Sequence, residues 1–165
     1  MADRAEGFLA FFEPIVARNP VLDIVILRIF EDGPWVFCSA YQSLNEGATQ
    51  WVTMDLFYTD PAGLILEHWD TISPFVAETA SGAPIGAARA GYQAWLSSPD
   101  FGAYEMLFQL IGQGDFVATY GKRRIGENSV AVFDLYRVAD GKIAEHWMNE
   151  EEISPRDAWG NSGKF

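Results

Sequence analysis

One cysteine, Cys38, stands in 165 residues, so no disulfide forms within the chain. Its neighbours Val36 and Phe37 point to a buried strand thiol, not a nucleophile. Basic residues are scarce: 11 Lys and Arg stand against 23 Asp and Glu, a formal net charge of -12. That balance argues against nucleic acid or an anionic membrane surface as partner. The one basic cluster, Lys122-Arg123-Arg124, reads as a solvated strand end. No apolar run is long enough to span a membrane, and the first residues, with Asp3 and Glu6, do not read as a signal peptide, so the cytoplasm is the expected location. Motifs are missing too. Gly112-x-Gly114 lacks the third glycine and following helix of a dinucleotide loop. There is no Gly-x-Ser-x-Gly, and His68, His146 and the carboxylates have no metal-ligand spacing. Neither a metal nor a cofactor is expected.

What is abundant is apolar and aromatic: 49% hydrophobic and 15% aromatic residues. This composition excludes a disordered chain and implies a large aromatic core or pocket. The stretch 132–149 reads as a β-hairpin turning at Asp140-Gly141. A three-residue loop, 139–141, would set Phe133 opposite Trp147 and Asp134 opposite His146. Phe133, Leu135 and Trp147 then share a core face, and Asp134, Tyr136, His146, Met148 and Glu150 share the other. A two-residue loop would set Asp134 opposite Trp147 and lose that sorting, so the first register is preferred.

The same hairpin occurs earlier, over 54–70, with one extra residue in its turn. Asp55 matches Asp134, Phe57 matches Tyr136, and Glu67-His68-Trp69 matches Glu145-His146-Trp147. Upstream, 29–37 resembles 110–118. The chain therefore reads as two copies of one unit, 1–78 and 83–165, packed as one compact body, with 73–84 as the candidate linker. In each copy a helix precedes four mostly antiparallel strands. Phe8, Phe11, Phe12, Ile15 and Val16 form the stripe of the first helix, with a kink or break at Pro14. Ile85, Ala88, Tyr92, Trp95 and Leu96 form the stripe of the second. Strands are expected over 21–30, 35–41, 51–59, 64–72, 103–111 and 116–122, followed by the principal hairpin. The expected class is α+β.

Asp134-Leu-Tyr-Arg-Val-Ala-Asp-Gly-Lys-Ile-Ala-Glu-His-Trp147 resembles the closing strands of SnoaL-like proteins, of the nuclear transport factor superfamily. Residues 7–20, Gly33, 67–70, 78–82 and 159–165 are similar to the same family, so the likeness covers nearly the whole chain in two passes. It implies a cystatin-like cone fold, with curved antiparallel sheets each packed on a helix. The family's two opening helices and its Tyr-x-x-His-Asn-Pro-like strand have no counterpart in either copy. Either the two units complete one another, or the chain closes its pockets as a homodimer.

In the polyketide cyclases of that family a His and an Asp of the closing strands perform acid–base catalysis of an aldol ring closure. The resemblance carries these positions onto Tyr136 and Glu150, and in the first copy onto Phe57 and Ile72, which transfer no proton. The residues make their own case. An Asp opposite a His on a half-buried sheet fixes the imidazole tautomer, and a carboxylate beside aromatic surface suits a general base. The candidate catalytic group is thus Glu150 exchanging a proton, His146 held by Asp134, and Tyr136 hydrogen-bonding a carbonyl or enolate oxygen. Met148, Asp55, His68 and Asp70 are the candidate ligand-binding residues, with Asp70 read either as pocket wall or as exposed strand end. The expected ligand is a small apolar molecule with a carbonyl, and the expected chemistry is cofactor-free aldol cyclisation, isomerisation, dehydration or hydrolysis. The plainer reading of an Asp–His pair present in both copies is a structural clip. On that reading the protein is a non-catalytic ligand-binding or dimerisation module.

Overall fold

The computed structural model describes residues 13–18, 21–76, 96–159 and 163–165. Eight antiparallel strands form two four-stranded meanders. The first sheet is β1 (Leu22–Asp32), β2 (Trp35–Leu44), β3 (Thr49–Thr59) and β4 (Ile65–Pro74). The second is β5 (Ala103–Gln113), β6 (Phe116–Ile125), β7 (Asn128–Ala139) and β8 (Lys142–Glu152). Strand order is sequential in both, and the hairpins turn at equivalent places, including Gly33 and Gly114, each with φ of 59°. The two sheets thus share one strand order. Ser73 and Pro74 end β4 and are not linker.

The α+β expectation, a cystatin-like cone with a helix packed on each sheet, is overturned. The described chain is mostly strand, and its helical parts are 13–18, position 96 and two short 3-10 turns. Most of both helical stripes falls outside the described residues. The physical reason is that each sheet's apolar face is covered by the other sheet. Phe30, Phe37, Met54 and Leu56 of the first pack with Ile111, Ala118, Tyr120, Phe133 and Leu135 of the second. The Phe37 and Phe133 rings lie 6.1 Å apart across the interface, and Tyr120 stacks on Phe133 at 4.2 Å. The crevice between Phe37, Leu56, Ile111, Tyr120 and Phe133 has no room for a water molecule, so this face is core and not pocket.

The sheets also meet edge to edge. Strand β4 runs beside β8, and β1 beside β5. Asn149 is buried in the first seam, and its Nδ2 donates to Val52 O at 3.0 Å and to Thr71 O at 2.9 Å. Ser73 Oγ donates to Glu150 O at 3.2 Å. Lys164 Nζ spans the same seam, 3.0 Å from both Asp70 O and Glu151 Oε2. At the other seam Gly112 N donates to Asp32 Oδ2 at 3.0 Å. Among the described residues no helix is long and apolar enough to cross a membrane.

Candidate functional site

The β7–β8 hairpin settles which side chains share a face. Its turn has two residues, Asp140 and Gly141, with φ of 51° and 69°. This is the loop that the sequence disfavoured, since it puts Asp134 opposite Trp147. A bulge corrects the parity. Val138 pairs with Ile143 but Arg137 with Glu145, so Ala144 is the extra residue. Beyond it Leu135 opposes Trp147, Tyr136 opposes His146 and Asp134 opposes Met148. The faces are as expected, while the pairs are offset. In the first hairpin the register shifts at the matching place, between Tyr58 and Thr59.

On the outer face of the second sheet His146 Nε2 is 2.6 Å from Asp134 Oδ1, a diagonal contact across β7 and β8. Asp134 is 1% exposed and the His146 side chain 9%. Tyr136 stacks on the imidazole with centroids 4.8 Å apart. Asp134 Oδ2 accepts a second bond from the Tyr104 hydroxyl on β5. Tyrosines from two strands thus contact the pair, Tyr104 at the carboxylate and Tyr136 at the imidazole.

Met148 is the next residue along this face of β8, and Glu150 follows it. Glu150 pairs with the Nη2 of Arg123, which is fully buried and lies over the Phe101 and Tyr104 rings at 5.3 and 5.9 Å. Glu150 is four residue steps along the strand from His146, about 13 Å. The structure therefore brings Asp134, His146 and Tyr136 together and sets Glu150 apart, in the grip of Arg123.

The first sheet holds a plainer copy. His68 Nε2 is 2.9 Å from Asp55 Oδ1, and Phe57 stacks on His68 at 4.5 Å. Here the side chains are 32% and 16% exposed. By strand position Asp23 stands where the second sheet has Tyr104, Gln42 where it has Arg123, and Ile72 where it has Glu150. Asp70 points elsewhere, to the seam, with Oδ1 3.5 Å from Lys164 Nζ. Cys38 lies opposite Asp55, and burial, followed by the Asp55 charge, pushes its thiol up to about 11. The thiol is half-buried, not fully buried as expected.

Sequence reasoning missed Tyr104 and Arg123. Lys122-Arg123-Arg124 is no uniformly solvated strand end. Lys122 and Arg124 reach Glu105 at 3.0 and 2.5 Å, and their hydrogen bonds hold the Glu105 carboxyl below its usual range. Arg123 points to the other face and is buried. The available signal was the alternation of β6, which separates Arg123 from its two neighbours. Among the described residues no group of three His, Cys, Asp or Glu gathers as a metal site. Comparison of the chain with family models, with curated proteins and with solved structures found no match.

Proposed function

We propose that this protein binds a small apolar, carbonyl-containing molecule on the outer face of its second sheet and exchanges protons with it without a cofactor. The chemistry is of the kind that the SnoaL-like resemblance implies. The observation that carries this reading is the difference between the two copies. Both have an Asp–His pair backed by a stacked ring. Only the second buries the pair, exchanges Phe57 for Tyr136, and adds Tyr104 together with the Arg123–Glu150 ion pair. A clip needs none of these additions, since the first copy forms without them.

The chemistry follows from the donors. With Nε2 donating to Asp134, a neutral His146 has Nδ1 as its basic nitrogen. In this scheme Nδ1 takes the proton from the carbon next to the ligand carbonyl, and the Tyr136 hydroxyl donates to the enolate oxygen. The enolate carbon then attacks a second carbonyl in ring closure, or is reprotonated elsewhere in isomerisation. In ring closure the new alkoxide takes the proton back from the His146 imidazolium, and in isomerisation the other carbon does; Glu150, held by Arg123 about 13 Å along the strand, bounds the far end of a ligand long enough to span Met148. The test is proton exchange at carbon in deuterated water across a panel of cyclic and linear ketones, followed by NMR. His146→Gln should reduce exchange of the responsive ketone at least tenfold. An equal rate in that variant would sink the proposal.

A second reading, a non-catalytic dimerisation module, is favoured by one observation. Ile24, Val25, Ile26 and Ile29 of the β1 edge strand are each half exposed or more. On that reading the protein runs as a dimer that Ile26→Lys converts to a monomer, and His146→Gln changes no ligand signal.

A further inference from the structure

Tyr104 reaches Asp134 from two strands away. It starts on the edge strand β5, and its ring must cross β6 before its hydroxyl meets the carboxylate on β7. Three features of the second sheet make that crossing. Gly121 is the β6 residue beneath it. A Cβ there would stand 2.6 Å from Met106 O, so any side chain would push on β5, which carries Tyr104, and at 3.4 Å it would touch the Tyr104 ring. Arg123 covers the ring on its other flank, with its guanidinium 5.9 Å from the centroid. The β5–β6 register slips twice, between Tyr104 and Met106 and between Leu107 and Gln109. These bulges re-aim the side chains of the edge strand. The first sheet has Asp23, Ala40 and Gln42 at the three positions, and its Asp55–His68 pair has no tyrosine among its described partners.

A carboxylate held by one donor can rotate about its Cβ–Cγ bond. One held at both oxygens by donors from different strands cannot. Asp134 is in the second condition, with Oδ1 toward His146 Nε2 and Oδ2 toward the Tyr104 hydroxyl. We propose that Tyr104, seated in the slot formed by Gly121 and Arg123, is a positioning residue. It locks the Asp134 carboxylate so that His146 keeps one tautomer, Nε2–H, with Nδ1 as the basic nitrogen. The inference rests on the proton-exchange reading of this site for its purpose, but not for its test. Tyr104 remains 40% exposed, so its ring also forms surface that a ligand on this face would touch.

The chain contains two histidines, so the imidazole nitrogens of the folded protein give two sets of NMR signals, and His68 is an internal control. At a pH where both rings are neutral, His146 should show one dominant tautomer in the wild-type protein. In Tyr104→Phe the minor tautomer should rise by roughly tenfold, the effect of losing about one charge-assisted hydrogen bond, while His68 is unchanged. Gly121→Ala should move His146 in the same direction, since its clash with Met106 O shifts the strand that carries Tyr104. An unchanged His146 pattern in a folded Tyr104→Phe protein would overturn the proposal, even if ligand binding and exchange persisted. A loss of melting temperature with no tautomer change would also overturn it, since it would leave Tyr104 a purely structural residue. Should the variants fail to fold, the wild-type protein decides. The Tyr104 hydroxyl proton should give a cross-peak to the His146 Nε2 proton, and its absence overturns the assignment.

Discussion

Replacing Asn149 by alanine should separate the two sheets energetically more than any surface change. Its side-chain amide is 2% exposed and bridges β8 to two carbonyls of the other sheet, Val52 O at 3.0 Å and Thr71 O at 2.9 Å. The variant leaves two carbonyls in a closed seam without their donor, at about 1–3 kcal/mol each, and part of this is offset because it also removes the buried, partnerless Asn149 Oδ1. A total of about 3 kcal/mol is expected. For a chain of this size it corresponds to a fall of roughly 6–12 °C in melting temperature. Asn149→Leu refills the volume but not the bonds, so it should cost about as much. Thr71→Val is the counter-experiment. Thr71 is fully buried, and its hydroxyl has no hydrogen-bond partner among the described residues. Removing that group should therefore be neutral or stabilise by up to about 1 kcal/mol. Guanidinium unfolding followed by tryptophan fluorescence gives all three values. If Asn149→Ala changed stability by less than about 1 kcal/mol, the seam would not be what joins the sheets.

Other expectations are direct. Phe37→Ala empties a fully buried position at the centre of the sheet-to-sheet core and should cost about 3–5 kcal/mol by denaturant titration. Gly102→Ala should destabilise the start of β5 strongly. Its φ is +66°, and a Cβ would fall 1.9 Å from Arg124 O, so a calorimetric melt near wild type would contradict the backbone path. For Cys38, with its pKa raised by burial and by Asp55, the folded state prefers the thiol. That preference is fully present below the ordinary value of 9.0 and is lost as pH rises through about 11, so the protein should lose stability across this window, and Cys38→Ser should flatten the loss. Iodoacetamide labelling should be slow at pH 9, where roughly one Cys38 in a hundred is thiolate, and faster in Asp55→Asn.

How much of this was legible follows from which interactions are local. The hairpins were readable because turn residues and alternation are local signals, and Asp134, His146 and Tyr136 do share one outer face. Their pairing was misread because the Ala144 bulge leaves no mark in composition; it is visible only once the Asp140-Gly141 turn and the apolar alternation are required to hold together. The fold class failed for a non-local reason. An apolar strand face reads the same whether a helix or a second sheet covers it, and here Phe37 meets Phe133. Tyr104 was invisible as a site residue because its role depends on a side chain reaching from the edge strand β5 across β6, while for Arg123 only the alternation of β6 set it apart from its neighbours. Glu150 was expected beside His146 because both lie on one face. Sharing a face does not mean touching, and Arg123 holds Glu150 at the far end.

The most direct measurement is native mass spectrometry of the protein purified from cells, with His146→Ala and Glu150→Gln alongside. The wild-type protein should retain a small apolar molecule that is weakened or absent in both variants, with His68→Ala behaving as wild type. A clean mass for the bare chain in every form, or a retained molecule lost only on His68→Ala, would contradict the placement of the site on the second sheet.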